Sequence, residues 1–391
     1  MKKALWIISI VCMMTMNTMT FVSAEEKKST KGQNLANDAK SALLMERDTG
    51  KVLFNKNEHE KLSPASMTKI MTLLLIMEAL DEGKLKLDEK VRVSEHAASM
   101  GGSQIFLEAG EEMTVDDLLK GIAIASGNDA SVALAERIAG SEGAFVHKMN
   151  EKVKELQLKN TKFQNVTGLP ADDHYSTAYD MAVMSKELLK YEDITNYTSI
   201  YEDYLRKGQE NEFWLVNTNR LVKFYSGVDG LKTGYTSDAK YCLTATAEKE
   251  DMRVIAVVMG SSSSKERNEQ VSQMLDYAFN HFQTKKLFDK GDKITELKLT
   301  KAENKQTDIV ASESISTLFK RGDSMENVTT EIAMKEDMQL PVQKGETVGE
   351  LIVKDGENIL SRSDLTVKEP IENASYGTLW KRTWQKLAKN D

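Results

Sequence analysis

Cysteine is almost missing from this chain, which carries two among 391 residues, Cys12 and Cys242. Cys12 lies in an N-terminal apolar run that reads as removable, which would leave Cys242 alone and exclude an intramolecular disulfide. Cys242 stands in the apolar stretch Tyr241-Cys-Leu-Thr-Ala and reads as a small buried hydrophobe. Proline is scarce too, at four against 22 glycines, which excludes a collagenous or low-complexity chain. The five histidines form no His-Glu-x-x-His, so that zinc-peptidase signature is absent. No Gly-x-Ser-x-Gly occurs, and no histidine has the context of a serine–histidine–acid triad. His59, His96 and His147 lie in charged stretches and read as exposed, and Asp172-Asp173-His174 reads as a solvated loop. Basic residues are outnumbered, 52 against 60 acidic ones, for a net charge of −8. That balance argues against a nucleic-acid partner.

The N-terminal run reads as an address. Lys2 and Lys3 precede apolar residues from Ala4 to about Met14, and Val22-Ser23-Ala24 places small residues at a cleavage spacing. Asn17 and Thr18 interrupt the run short of the ~20 residues that a membrane span needs. Residues 1–24 are therefore expected to be a signal peptide, and Val11 before Cys12 is a poor match to a lipoprotein site. Cleavage removes two lysines and no acid, leaving 50 − 60 = −10. The remaining chain is long enough to depend on an apolar core without disulfides.

Residues 41–56 alternate around Asp48-Thr49-Gly50 as a hairpin does. From Ser66 to Leu80 the chain is apolar on nearly every face, which predicts a buried central helix. Helices are predicted at 114–124 and 129–139, separated by Ser126-Gly127-Asn128, and at 144–157, 177–190 and 266–282. Strands are predicted at 241–248 and 252–259 around the turn Glu248-Lys249-Glu250-Asp251. From near Lys285 to about Lys368 short alternating runs, glycine turns and exposed charges predict a separate β-rich domain of roughly 85 residues.

Three short motifs bear chemistry. Ser66-Met67-Thr68-Lys69 opens the buried helix, Ser126-Gly127-Asn128 fills the break between two helices, and Lys232-Thr233-Gly234 leads toward the paired strands. Ser-x-x-Lys alone is a weak signal, since Ser237/Lys240 and Ser262/Lys265 match it as well. Only Ser66 stands at the start of a long buried helix, which puts Lys69 one turn away on the same face. A lysine there is desolvated, which favours its neutral, basic form. Ser-x-Asn and Lys-Thr-Gly each occur once, 60 and then 106 residues further on. This ordered set is the one carried by β-lactamases and penicillin-binding proteins.

With Ser63-Pro-Ala-Ser-Met-Thr-Lys, Gly101-Gly-Ser-Gln-Ile-Phe-Leu, Ala125-Ser-Gly-Asn-Asp-Ala and Val228-Asp-Gly-Leu-Lys-Thr-Gly-Tyr-Thr, the chain resembles the low-molecular-weight penicillin-binding proteins that are serine-type D-alanyl-D-alanine carboxypeptidases. The resemblance runs from about residue 36 to 285 and more loosely to the C-terminus, and is strongest to sporulation-associated members. It implies an α/β fold, an antiparallel sheet flanked by helices with a helical subdomain, followed by a smaller C-terminal β-rich domain. The implied organisation is a signal peptide at 1–24, a catalytic domain at 25–284, the β-rich domain at 285–370 and an amphipathic helix at 371–391.

The resemblance also implies roles. Ser66 attacks the carbonyl between two D-alanines, and neutral Lys69 takes its proton. Lys232 is the second cation that lowers the basicity of Lys69, and it holds the terminal carboxylate with Thr233 beside Gly234. Ser126 passes a proton to the leaving amine, and Asn128 orients Lys69 and meets the substrate amide. The backbone N–H groups of Ser66 and Tyr235 form the oxyanion hole. No metal or cofactor is implied. The partners are peptidoglycan pentapeptides as substrate and β-lactams as covalent inhibitors. A class A β-lactamase shares the motifs but needs a further glutamate, which the loop Asn165-Val-Thr-Gly-Leu-Pro-Ala does not offer. An inactive scaffold of the same fold fits poorly with an intact motif set.

The tail, Tyr376 to Asp391, is basic in an acidic chain. Leu379, Trp380, Trp384 and Leu387 fall on one helical face with Lys381, Arg382, Lys386 and Lys389 around it. This predicts an amphipathic helix lying in a membrane interface, on the outer face if the chain is exported. The competing expectation is a helix docked on the protein's own β-rich domain.

Overall fold

A computed structural model describes residues 35–323, 328–335 and 338–387. The predicted signal peptide and the residues after 387 lie outside it. The central sheet is antiparallel, with strands in the order Val52–Lys56, Ser41–Glu46, Met252–Ser261, Lys240–Lys249 and Val228–Thr236. Its hairpin turns where predicted. The Glu46 carboxylate accepts the Asp48 and Thr49 N–H groups at 2.9 and 2.8 Å, which closes the turn.

Both faces of this sheet are covered. Leu43 and Met45 point into one core with Ile255, Val257 and Met259, while Ala42 and Leu44 point into the other with Val254, Ala256 and Val258. Double coverage explains why these strands read as continuous apolar runs. The first core holds the helix Lys69–Asp81, apolar all round and packed between the helices Asn128–Ala139 and Ala178–Leu188. The second lies under the helix Ser264–His281.

The predicted helices are present, with ends set by local caps. Thr114, Ser141, Thr177 and Ser263 each accept a backbone N–H in the first turn of the helix they precede, which moves each start to the residue after the cap. The predicted helix from Ser66 begins instead as a 3₁₀ turn, Ala65–Thr68, and becomes α-helical at Lys69. Two short strand pairs had no sequence signal, Lys90–Arg92 with Glu112–Thr114 and Glu202–Leu205 with Phe213–Val216. Segments of three or four half-exposed residues carry too little periodicity to read.

After His281 the chain turns to strands. Phe282–Phe288 pairs with Ile315–Lys320, and a five-stranded antiparallel sheet runs in the order Lys293–Lys298, Gln306–Ala311, Asn358–Val367, Gly349–Asp355, Val328–Met334. A core of its own, including Ile309, Leu351, Val353, Leu365 and Val367, holds this part together. It joins the first part through Leu318, which packs into the second core, and through polar contacts. The Ser316 hydroxyl donates to the Asp48 carboxylate, Lys186 Nζ approaches Glu313 Oε1 at 3.4 Å, and Arg321 Nε donates to the Phe279 carbonyl at 2.8 Å.

Candidate active site

The turn that presents Ser66 is held between a loop and a strand. Ala65, just before it, adopts φ +46°, an uncommon left-handed value for a residue with a side chain. A Cβ on Gly168 would stand 1.8 Å from the Ala65 carbonyl oxygen, and one on Gly234 would stand 2.7 Å from that of Pro64. Glycine at both positions lets the 165–171 loop and the strand Val228–Thr236 close on the turn. In the first turn of a helix N–H groups have no intrahelical acceptor, so the Ser66 N–H needs an acceptor from outside the helix.

Lys69 is fully buried. Its Nζ lies 2.6 Å from Asn128 Oδ1, 2.8 Å from the Thr167 carbonyl and 3.2 Å from Ser66 Oγ. The orientation of the Asn128 amide is fixed, because its Nδ2 donates to the Gly101 carbonyl at 2.7 Å. Both Asn128 Oδ1 and Thr167 O can only accept. A neutral amine has two N–H bonds and one lone pair. In the neutral form both N–H groups go to those oxygens and the lone pair is left for Ser66 Oγ, whereas in the protonated form the third N–H donates to Ser66 Oγ. Burial, and then the charge of Lys232, hold the Lys69 pKa well below the usual lysine range, with Asp129 opposing. The lowered pKa favours the neutral form, and that form can accept a proton from Ser66 Oγ at 3.2 Å.

Ser126 is set apart by strain. It has φ +65°, and its buried hydroxyl has no hydrogen-bond partner among the described residues. The helix start that follows organises its surroundings. The Asn128 N–H donates to the Ser103 carbonyl at 2.7 Å, and the Asp129 carboxylate accepts the N–H groups of Ile105 and Leu107 at 3.0 and 3.1 Å. A positive φ together with an orphaned buried hydroxyl makes Ser126 a candidate functional position.

A cavity of about 540 Å³ opens over Ser66, lined by Ser103, Ser126, Thr233, Gly234 and Tyr235. Lys232 is buried beneath it, with Nζ 3.2 Å from the Thr233 carbonyl. Burial, and then the Arg267 guanidinium, bring the Lys232 pKa down to about 7. The Thr233 hydroxyl donates to Thr218 Oγ1 at 2.7 Å. Sequence reasoning missed Thr218, Arg220 and Arg267, all of which line this cavity. Arg267 is largely buried, and its side-chain hydrogen bonds among the described residues go only to Asn268 Oδ1, at 3.0 and 2.9 Å. A buried guanidinium without a carboxylate was detectable only as an arginine on the inner face of the predicted helix 266–282. A larger cavity, about 950 Å³, lies near Tyr191 and Tyr197 and contains none of these residues.

The solvated-loop expectation fails at His174. Asp172 and Asp173 are exposed, but His174 is buried. Its Nδ1 accepts the Gln164 N–H at 3.2 Å, so the ring proton sits on Nε2 and faces Thr68 Oγ1 at 2.8 Å. Burial lowers the His174 pKa to about 4. Backbone bridges Lys162↔Tyr175 and Leu62↔Ser176 draw the chain inward just after the two acids, a long-range pairing that local composition does not reveal. The loop is tied down again where the Thr72 hydroxyl donates to the Val166 carbonyl at 2.7 Å. His59, His96 and His147 are exposed as expected, and Cys242 is buried.

Two family models match the chain: "D-alanyl-D-alanine carboxypeptidase" over residues 26–263 and "Penicillin-binding protein 5, C-terminal domain" over residues 282–373. The chain is 57% identical over 380 residues to the D-alanyl-D-alanine carboxypeptidase DacF of Bacillus subtilis, covering 96% of this chain and 97% of that one. It is 33% identical over 350 residues to DacA of Escherichia coli, covering 88% and 86%. Among solved structures it is similar to penicillin-binding protein 5 of Haemophilus influenzae, with a TM-score of 0.66, 30% identity and coverage of 86% and 98%. It is also similar to penicillin-binding protein D2 of Listeria monocytogenes, solved in an ampicillin-bound form, with a TM-score of 0.57, 29% identity and coverage of 63% and 100%.

Proposed function

The chain belongs to the D-alanyl-D-alanine carboxypeptidase family, and on that footing we propose that Ser66, Lys69 and Ser126 carry out its reaction, removal of the terminal D-alanine from peptidoglycan stem pentapeptides. Ser66 Oγ gives its proton to the Lys69 lone pair and attacks the carbonyl between the two D-alanines. The N–H groups of Ser66 and Tyr235 receive the oxyanion, where one such donor is worth about 10²–10³ in rate. Ser126 carries the proton from Lys69 to the nitrogen of the departing D-alanine, and the C–N bond breaks. Water then hydrolyses the Ser66 ester and regenerates the hydroxyl.

The terminal carboxylate sits against Lys232 and Thr233, and Gly234 lets their strand close on the turn that carries Ser66. Arg267 adds a fixed positive charge on the same side. Asn128 has one N–H left for the substrate backbone, since its other amide contacts go to Lys69 and Gly101. The observation that carries this reading is the buried Lys69 amine 3.2 Å from Ser66 Oγ, whose two acceptor-only partners leave the lone pair of its neutral form for Ser66. Mass spectrometry of pentapeptide muropeptides incubated with the protein tests it. Loss of one D-alanine is expected, and Ser66→Ala abolishes both that loss and covalent labelling by fluorescent penicillin. Label persisting in the variant and mapping to Ser237 or Ser262 would refute the assignment. The β-lactamase alternative predicts rapid penicillin turnover, whereas a loop without a glutamate at 165–171 predicts a persistent adduct.

We further propose a division into signal peptide 1–24, catalytic domain 25–284, β-rich domain 285–370 and anchor 371–391, with export to the outer face of the cytoplasmic membrane. No helix among the described residues is long and apolar enough to cross a membrane. The helix Tyr376–Leu387 instead supports peripheral anchoring, since Tyr376, Trp380 and Trp384 are exposed on it. Deleting residues 373–391 is expected to release the protein from anionic-lipid vesicles while leaving turnover of a soluble peptide intact. Unchanged vesicle binding would overturn the anchor.

A further inference from the structure

Arg382 belongs, by sequence, to the basic residues around a lipid-facing stripe. Its guanidinium turns the other way. Nη1 donates to the carbonyls of Thr300 and Ala302 at 3.1 and 2.6 Å, and Nη2 donates to that of Glu303 at 2.6 Å. The Glu303 carboxylate closes the arrangement by accepting the N–H of Ser375, just before the helix, at 2.9 Å and the hydroxyl of Thr378, in its first turn, at 3.0 Å. Those bonds hold the Glu303 carboxyl below its usual range. Two backbone bonds flank the same place, Ala374 N–H to the Lys301 carbonyl at 2.8 Å and Glu303 N–H to the Glu372 carbonyl at 2.9 Å. Leu379 is half-buried rather than part of the outward stripe.

The opposite face is different. Tyr376, Trp380 and Trp384 recur every four residues with exposures of 94, 69 and 56%. The two indoles touch edge to face at 5.6 Å, and exposed Lys381 borders them. The docking expectation and the lipid expectation thus describe two faces of one helix.

We infer that Arg382 is a clamp that sets the helix on the β-rich part before any membrane is met, so that the Tyr376–Trp380–Trp384 stripe is offered to a bilayer interface in one fixed orientation. This deepens the anchor reading above and rests on it for the identity of the occupant. A bilayer fits because tryptophan and tyrosine combine an apolar body with a polar tip suited to the headgroup level. The basic border also complements anionic headgroups where the chain as a whole is acidic. Three carbonyls spread along one segment need the planar fork of a guanidinium, which lysine cannot supply while keeping the same charge. A pre-set helix has less freedom to lose on binding, and that raises affinity without any lipid contact by Arg382.

Arg382→Lys separates the two possible uses of this residue. In lipid-free protein, amide hydrogen exchange of residues 376–387 is expected to quicken at least about ten-fold in the variant, as for loss of a charge-assisted hydrogen bond. Sedimentation with phosphatidylglycerol vesicles is expected to weaken several-fold although net charge is unchanged, with parent-like turnover of a soluble peptide. If Arg382→Lys matches the parent in both measurements while Arg382→Ala binds vesicles poorly, Arg382 is a lipid-facing charge and the clamp is wrong. If the parent itself fails to sediment, the bilayer is the wrong occupant, and the exchange measurement still decides the clamp alone.

Discussion

The start of the helix Lys69–Asp81 and the helix Tyr376–Leu387 depart from ordinary burial in opposite senses. At the first, a lysine heads an otherwise apolar helix and its amine is fully buried against Ser66, Asn128 and the Thr167 carbonyl. At the second, aromatic rings stand in solvent on a helix otherwise polar and basic. Apolar residues on a surface are common, while an unpaired buried charge is rare. The first departure is therefore the costlier and needs more support. That support is present as acceptors for each Lys69 N–H, a neighbouring cation that favours the neutral amine, and a loop fastened through His174 and Val166. Among the described residues the tail is held by Arg382, by Glu303 and by two backbone bonds.

The contrast predicts that changes at the buried end act strongly and through chemistry or folding, whereas changes at the tail act weakly and through location. Ser66→Ala is expected to cost at least about 10⁴ in turnover, the scale on which removal of a serine nucleophile acts. Steady-state kinetics on a D-alanyl-D-alanine peptide reads this, and a loss below ten-fold would dissolve the comparison. Gly168→Ala puts a Cβ on the Ala65 carbonyl at a backbone φ of +84°, and should lower stability by about 3 kcal/mol or more. Denaturant unfolding measures it, and an unaffected midpoint would show that the loop does not press on the nucleophile turn.

His174 makes the support pH-dependent. The fold disfavours the protonated ring, whose pKa falls from 6.5 to about 4. Between those values the unfolded chain binds more protons, so stability is fully present above about 6.5 and is lost as pH falls toward 4, by roughly 3 kcal/mol at most. Thermal unfolding of His174→Gln, which keeps a donor for Thr68 but cannot titrate, should lack this slope. An equal slope in both proteins would assign it to other groups.

Lys232 should show its effect in KM. With its pKa near 7, its charge fades as pH rises, so KM for free-acid peptides should climb above about pH 7. Lys232→Gln should raise it about 10- to 100-fold, as for a lost charged contact. A substrate with an amidated terminus should be poor for the parent, and equal use of both termini would remove the carboxylate role. The smallest effect is expected at Trp380→Ala, a several-fold weaker hold on anionic vesicles with unchanged peptide turnover. A change in turnover would mean that the tail is not separate from the site.

Much of the catalytic end was legible because its signals are local. Ser66 and Lys69 share a helix turn, the apolar run around Lys69 announces its burial, and Ser126, Asn128 and Lys232 each stand in a short motif. Arg267 and His174 were not legible, because each becomes buried through contacts made far along the chain. For Arg267 the contact is the seating of its helix over the sheet, and for His174 it is a backbone bridge that pulls an acidic loop inward. The tail was legible as aromatic and basic, but its faces were assigned by helical spacing alone. Spacing placed Leu379 with the tryptophans and Arg382 with the lipid, and neither holds.

The sequence alone determined which residues can do chemistry here, because side-chain type and short spacing fix what an isolated turn can present. It also determined that the central helix would be buried, because a segment apolar on all faces has no stable place in water. Only the tertiary structure decided that Lys69 has two acceptor-only partners beside Ser66, that the Ser126 hydroxyl has no partner among the described residues, and that Arg382 grips backbone carbonyls instead of facing outward. Those outcomes depend on directions of hydrogen bonds between segments tens to hundreds of residues apart, and a direction in space is set when the segments pack, not when the chain is written.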